Sequence, residues 1–424
     1  MTARSNTVHD DPEKSGSASN LTAKVLSDRA AGEAYVASVC FKHGPPKLVG
    51  VELEFTVHHR GDPARPLDPD ALATALGPHT PRTLRPDSPA SPLPGGSPVS
   101  LEPGCQVEIS TLPQAGLREL DAVVSADLRH LRSLLARQDL ELGESGIDAH
   151  RPPRRVLSTP RYAAMERRFA PMGTGGITMM CSTAGLQICV DAGETSGFPA
   201  RWAAAHAMGP PLLAAFANSR VHAGRETGHA SARWLAVLET EPVRTRSAVV
   251  GPDPAAAWAE RMMDTPLMVL PRENRPWDAP EGLTFGDWIE GRGAAAVLRR
   301  PTVADLDYHL TTMFTPVRPQ GYLELRYLDA QPPEAWLHPV ALVTALLTRP
   351  STVDKVRELC APVEGRWTDA ARAGLADADI AAVARAVVEL GCAELGVTGL
   401  PAHTITEISE SVLARVDGAR SQRS

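Results

Sequence analysis

The segment Val51-Glu52-Leu53-Glu54-Phe55 alternates apolar and acidic residues with a period of two. A strand sends successive side chains to opposite faces, so Glu52 and Glu54 share one face while Val51, Leu53 and Phe55 share the other. The surrounding run KLVGVELEFTVHH (47–59) predicts a strand. The same device recurs in PVSLEPGCQVEIS (98–110), which is interrupted at Pro103-Gly104 and carries Glu102 and Glu108. It recurs again in GYLELRYLD (321–329), where Glu324 and Arg326 fall two apart beside Tyr322. The run ITMMCSTAGLQICVDAG (177–193) reads as a long strand with Thr183, Gln187 and Asp191 on one face. One acidic pair describes the solvated face of an antiparallel sheet. Glutamates on strand after strand, amid apolar neighbours, describe an inward polar face, and massed carboxylates there require a cation. All-oxygen donors favour Mg²⁺ or Mn²⁺ over zinc, and Mg²⁺ tends to keep phosphate oxygens in its shell. The pattern points to nucleotide phosphates carried on a sheet.

Other classes fall away. Lys and Arg total 43 against 50 Asp and Glu, a net charge of −7, which argues against a nucleic-acid binder. No Walker-type GxxxxGK[ST], no post-strand GxGxxG and no HExxH occurs. No window is apolar enough to span a membrane. The 6 cysteines form no CxxC pair and fit a reducing, cytoplasmic setting. Residues 1–20 are polar, without the apolar core of a signal peptide, and read as a disordered tail.

Helical spacing predicts helices at 21–42, 114–138, 160–170, 197–218 and 302–314, and an almost wholly helical stretch from about 334 to 416. Strands and helices do not alternate regularly, so the fold class is α+β, with a helical C-terminal third. The organisation expected is one domain over 21–395, followed by a helix and tail at 396–424.

Arg161, Arg233, Arg244, Arg318 and Arg326 each sit in a distinctive segment. Guanidinium groups bind carboxylate or phosphate as a fork, which suits an anionic substrate reacting with ATP beside an acidic metal site. His309 reads as a core residue. Cys105 and Cys189 read as packing residues, since no motif pairs them with a histidine. The GTGG loop (173–176) reads as a flexible turn, and loops 78–98 and 171–177 as mobile covers.

Several segments together resemble the glutamate–cysteine ligases of the plant-like and bacterial type, most closely the branch attached to ergothioneine biosynthesis. They include VGVELEF (49–55), SLEPGCQVEIS (100–110), PRYAAMERRFA (160–170), MMCSTAGLQICVDAG (179–193) and DLDYHLTTMFTPVRPQGYLELRYLDAQP (305–332), in family order. The resemblance implies a glutamine-synthetase-like curved antiparallel sheet forming a funnel. It also implies ATP as cosubstrate and two or three Mg²⁺ ions, with Mn²⁺ as a substitute. Carried over residue by residue, it implies metal ligands at Glu52, Glu54, Glu102, Glu108 and Glu324. Gln187 and Arg326 would meet the nucleotide. Arg161, Thr183, Arg233 and Arg318 would meet substrate. Arg233, Glu324 and Arg326 would serve the reaction itself. The implied activity is γ-glutamyl amide formation from L-glutamate and an amino acid, L-cysteine foremost, through a γ-glutamyl phosphate. The small-molecule substrates are then the expected partners, with no nucleic acid or membrane. The sequence departs from the pattern at Cys105, where Gly is usual, at Thr315, at Arg220, and at Val237, where Trp is usual. Those departures leave open a non-cysteine acceptor. A non-catalytic glutamate- or nucleotide-binding protein on the same fold is the alternative from another class.

Overall fold

The computed structural model describes residues 24–248 and 250–421, and the N-terminal tail lies outside the described residues. Ten strands occur among them: β1 (Val49–Phe55), β2 (Val57–His59), β3 (Val99–Leu101), β4 (Val107–Ser110), β5 (Leu140–Leu142), β6 (Gly185–Val190), β7 (Val221–His222), β8 (Arg225–Glu226), β9 (Val317–Pro319) and β10 (Leu323–Asp329). Six of them form one sheet in the order β3-β4-β1-β6-β10-β9, and every neighbouring pair is antiparallel. Segments distant in sequence thus lie side by side, as α+β architecture requires.

The two faces of the sheet differ as the alternation predicts. Val51, Leu53, Phe55, Ile109, Ile188 and Leu325 on one face are each at most 2% exposed and belong to the main core. At ~1.5–3 kcal/mol for each fully buried large apolar side chain, this face is a principal driving force for folding. Helices Phe198–Ala207, Gly209–Ala215 and Leu337–Thr348 contribute to the same core. Tyr327 and Trp367 meet there with ring centroids 5.4 Å apart. The final helix, Ala402–Ser421, adds Ile408, Val412 and Val416 to that core.

The helical C-terminal part runs from Leu337 to Ser421, about a fifth of the chain instead of the third expected, with short 3₁₀ turns between its helices. The observed helix Leu117–Ala136 falls inside the expected 114–138, and Pro160–Phe169 matches 160–170. The strand expected over 47–59 is broken at Thr56 into β1 and β2, and β2 pairs with β5 instead of joining the main sheet. The long strand expected over 177–193 is corrected more substantially: Gly175–Cys181 is a helix, and only Gly185–Val190 is extended. Gly175 and Gly176 let this helix pack closely. A Cβ on Gly176 would lie 2.2 Å from that of Phe169, and one on Gly175 would lie 2.5 Å from that of Glu239.

Candidate active site

The polar face of the sheet is built by register. Glu54 lies opposite Glu108, which lies opposite Ser100 on β3. Glu52 lies opposite Gln187 on β6, and Glu324 lies between Cys189 and Arg318. Glu102 leaves the end of β3 in a tight hairpin closed by Glu102 N–H to Gln106 O at 2.9 Å and Cys105 N–H to Glu102 O at 2.8 Å. In that turn Cys105 has φ +69°, a left-handed conformation that favours glycine.

The face opens into a cavity of about 1100 Å³. Glu52, Glu54, Glu102 and Glu108 line it together with Gln187, Thr183, Arg161, Arg233, Arg318 and Arg326. These ten nominated residues, carried on separate segments of the chain, therefore meet in one place. Glu324 sits beneath it, fully buried, against Arg318 and Arg326. Across the cavity from the sheet, a second apolar cluster containing Met165, Met180, Tyr162, Met179, Trp277, Tyr308 and Phe314 supplies much of the lining.

Two acidic groupings have the spacing of ion sites. Oxygens of Glu54, Glu102 and Glu108 lie within 4.8 Å of one another, as do ligand atoms of Glu52, Cys189 and Glu324. Burial pushes the carboxyls of Glu52 and Glu102 well above their ordinary range, and the like charge of Glu108 adds to it. Burial and the charge of Glu54 push Glu108 up to about 7, against the hydroxyls of Ser100 and Ser110 that favour its charged form. Ser100 Oγ donates to Glu108 at 2.5 Å and Ser110 Oγ at 3.2 Å. Glu54 accepts from Gly185 N–H at 2.7 Å and from Gln187 Nε2 at 2.9 Å. Carboxylates this crowded are unstable together without a countercharge, and the all-oxygen trio Glu54–Glu102–Glu108 fits a hard divalent cation.

Glu324 differs. Burial works against its charge, but the guanidinium groups of Arg318 and Arg326 outweigh it and hold the carboxyl below its ordinary value. Arg318 grips it side-on through Nε at 2.6 Å and Nη2 at 3.1 Å, and Arg326 Nη1 donates to it at 3.0 Å and also to Gln187 Oε1. It thus ties two arginines to the acidic face. Pairing of this kind resists competition from water because the fork is bidentate and dry.

Helix starts aim the remaining cations. Thr159 caps Pro160–Phe169, accepting from Tyr162 N–H at 3.3 Å, with Pro160 in the first turn. Arg161 leaves that turn, donates from Nη1 to Thr311 Oγ1 at 2.8 Å, and stacks 5.1 Å over Tyr308. Ser231 caps Ala232–Leu238 and presents Arg233 and Val237 to the cavity.

Some expectations fail. Asp191 does not line the cavity; its carboxylate accepts from the N–H groups of Lys47 and Leu48 at 2.9 Å. Thr183 lies beyond the strand, although it still faces the cavity, and its hydroxyl donates to Met179 O at 2.6 Å. Arg244 is a buried structural cation, held by Glu241 at 2.5 Å, Thr312 Oγ1 at 2.8 Å and Pro266 O. Of the two nominated covers, loop 78–98 sends Arg82, Thr83 and Pro86 to the cavity, whereas no residue of 171–177 lines it. Asp329 escaped the sequence reading. It is fully buried and accepts from Asn218 N–H, Ser219 Oγ and Ser231 Oγ at 2.7–2.8 Å. A charged residue in the apolar phase of β10 was the available signal.

The family model described as glutamate–cysteine ligase family 2 matches residues 48–417. The chain is 37% identical over 399 residues to the glutamate–cysteine ligase EgtA of Mycolicibacterium smegmatis, covering 92% of this chain and 88% of that one. It is 38% identical over 361 residues to EgtA of Mycobacterium tuberculosis, covering 83% and 80% respectively. A chloroplastic glutamate–cysteine ligase of Arabidopsis thaliana is 28% identical over 285 residues, 66% of this chain and 53% of that one. Among solved structures, a glutamate–cysteine ligase of Francisella tularensis in complex with AMP superposes with a TM-score of 0.51 at 13% identity, covering 89% of this chain and 83% of that one.

Proposed function

The chain belongs to glutamate–cysteine ligase family 2, and from that premise we propose that it joins the γ-carboxylate of L-glutamate to the α-amine of L-cysteine at the cost of ATP. The observation that carries this reading to the residues is the convergence of Glu52, Glu54, Glu102 and Glu108, with Arg161, Arg233, Arg318 and Arg326, on a single cavity. The two mycobacterial relatives named EgtA motivate a place in ergothioneine biosynthesis. Free thiols throughout the described residues accord with a reducing compartment, the cytoplasm.

The chemistry follows from the residue types. The γ-carboxylate attacks the γ-phosphorus of ATP and expels ADP, forming an acyl phosphate. The acceptor amine then attacks that carbonyl carbon, phosphate leaves, and the amine loses a proton as the amide forms. No covalent enzyme intermediate is required, and burial raises all six cysteine thiols, those of Cys105 and Cys181 up to about 12. Glu54, Glu102 and Glu108, with Glu52 in the neighbouring group, would hold Mg²⁺, which would supply charge neutralisation on the phosphates. Arg326, braced by Glu324 and Gln187, stabilises the transferring phosphoryl group. Arg318 helps hold that brace, and Gln187 sits between it and Glu54 on the nucleotide side. Arg161, Arg233 and Thr183 define the substrate end, where a forked guanidinium matches a carboxylate. The apolar cluster opposite the sheet restricts water, to which an acyl phosphate is vulnerable.

The test is ADP release with glutamate and Mg·ATP fixed while the amine is varied. L-Cysteine is expected to give the largest glutamate-dependent rate. A larger rate with another amino acid would reassign the acceptor, a version favoured by Val237 in the cavity wall. No glutamate-dependent ADP with any amine would remove the ligase reading.

A further inference from the structure

Arg233 is held in an unusual way for a cavity arginine. Its Nη2 donates to the carbonyl of Arg326 at 3.0 Å, while Nε and Nη1 are buried without a hydrogen-bond acceptor among the described residues. The Arg326 carbonyl lies where the register of β10 against β6 shifts, between Leu325 and Leu328. A bulge there takes that carbonyl out of the ladder and leaves it available to a side chain. Asp329 Oδ1 stands 3.9 Å from Arg233 Nη1, beyond hydrogen-bond reach but within strong Coulomb range in a dry setting.

Asp329 also reaches Arg233 through the backbone. Ser219 Oγ donates to Asp329 Oδ2 at 2.7 Å and accepts from Arg233 N–H at 3.1 Å. Ser231 Oγ donates to Asp329 Oδ1 at 2.8 Å and accepts from Trp234 N–H at 3.1 Å. One carboxylate thus orients two hydroxyls so that their lone pairs face the first turn of the helix bearing Arg233. The surroundings leave no slack. A Cβ on Gly185 would lie 2.2 Å from Arg233 Nη2, and one on Gly146 would lie 2.7 Å from Asp329 Cβ.

We propose that Asp329 is the positioning residue for Arg233: it fixes the helix start through Ser219 and Ser231 and holds the guanidinium by charge alone. The guanidinium is thereby fixed in the cavity wall, ready for an anionic group of the substrate. This rests on the reading that Arg233 serves substrate or phosphoryl binding. Asp329 itself touches no reacting atom.

The experiment is a double-mutant cycle in kcat/KM for glutamate, read by ADP release on the full chain. Asp329→Asn keeps an acceptor oxygen and removes the charge. It is expected to lower kcat/KM at least tenfold in the parent and to have no further effect in the Arg233→Ala background. Equal losses in both backgrounds would mean a structural role and overturn the proposal. If Asp329→Asn does not fold, Ser231→Ala enters the same cycle, with a smaller loss expected that again vanishes without Arg233. Should Arg233→Ala leave kcat/KM unchanged, the underlying reading of Arg233 fails, and the proposal with it. A loss with Arg233→Ala, but none with Asp329→Asn, overturns the proposal alone.

Discussion

Replacing Glu108 by glutamine separates the electrostatic cost of the acidic face from its use. In the ion-free protein, burial and the charge of Glu54 raise this carboxyl from 4.5 to about 7. An acid raised on folding binds a proton that the unfolded chain has already released, so stability falls as pH rises through that window. The cost is absent below about 4.5, grows across the interval, and is complete above about 7; at 1.36 kcal/mol per unit it reaches about 3 kcal/mol. Glutamine retains Oε1 as acceptor for Ser100 and Ser110 and removes the charge. Glu108→Gln is therefore expected to melt a few degrees above the parent at pH 8 without Mg²⁺, with the advantage vanishing toward pH 5. Added Mg²⁺ should raise the melting point of the parent at pH 8, less at pH 5, and barely that of the variant, because a ligand stabilises only the state that binds it. Differential scanning fluorimetry of both proteins at both pH values, with and without Mg²⁺, reads all eight cases. A variant less stable than the parent at pH 8 in chelator would refute the like-charge argument. A Mg²⁺ response equal to the parent's would remove Glu108 from the ion site.

Arg244→Met should destabilise the fold by about 3–5 kcal/mol, because Glu241 loses a buried partner, while the folded fraction keeps its kcat. Thermal melts alongside active-site titration check this, and a selective fall in kcat would return Arg244 to the site. Gly185→Ala should lower kcat/KM for glutamate at least tenfold, because the added methyl falls 2.2 Å from Arg233 Nη2 on a residue whose N–H also anchors Glu54. Steady-state kinetics unchanged from the parent would show that Arg233 needs no fixed position.

The polar face of the sheet was legible because strand periodicity is a local property: Glu52 with Glu54, and Glu324 with Arg326, declare a shared face whatever their partners. Strand order was not legible from pattern, since pairing of β6 between β1 and β10 depends on side-chain fit across more than a hundred residues of chain. The helix at Gly175–Cys181 was missed because ITMMC is β-branched and apolar, and a short apolar run does not distinguish a buried helix from a strand. The nominated residues that line the cavity are ones a family motif carried. Asp329 was hidden because its partners, Ser219, Ser231 and Arg233, lie about a hundred residues upstream, and its register is altered by the bulge in β10. Arg244 misled because sequence context does not distinguish a buried structural arginine from a substrate-facing one.

The sheet's acidic face is proposed to hold divalent cations against a triphosphate. A crystal structure with Mn²⁺ and a non-hydrolysable ATP analogue, with anomalous scattering used to locate the metal, tests it most directly. An anomalous peak is expected within coordination distance of Glu54, Glu102 and Glu108, with phosphate oxygens completing its shell and Arg326 on the terminal phosphate. A triphosphate bound elsewhere, or an acidic trio without metal in a crystal that holds the nucleotide, would contradict it.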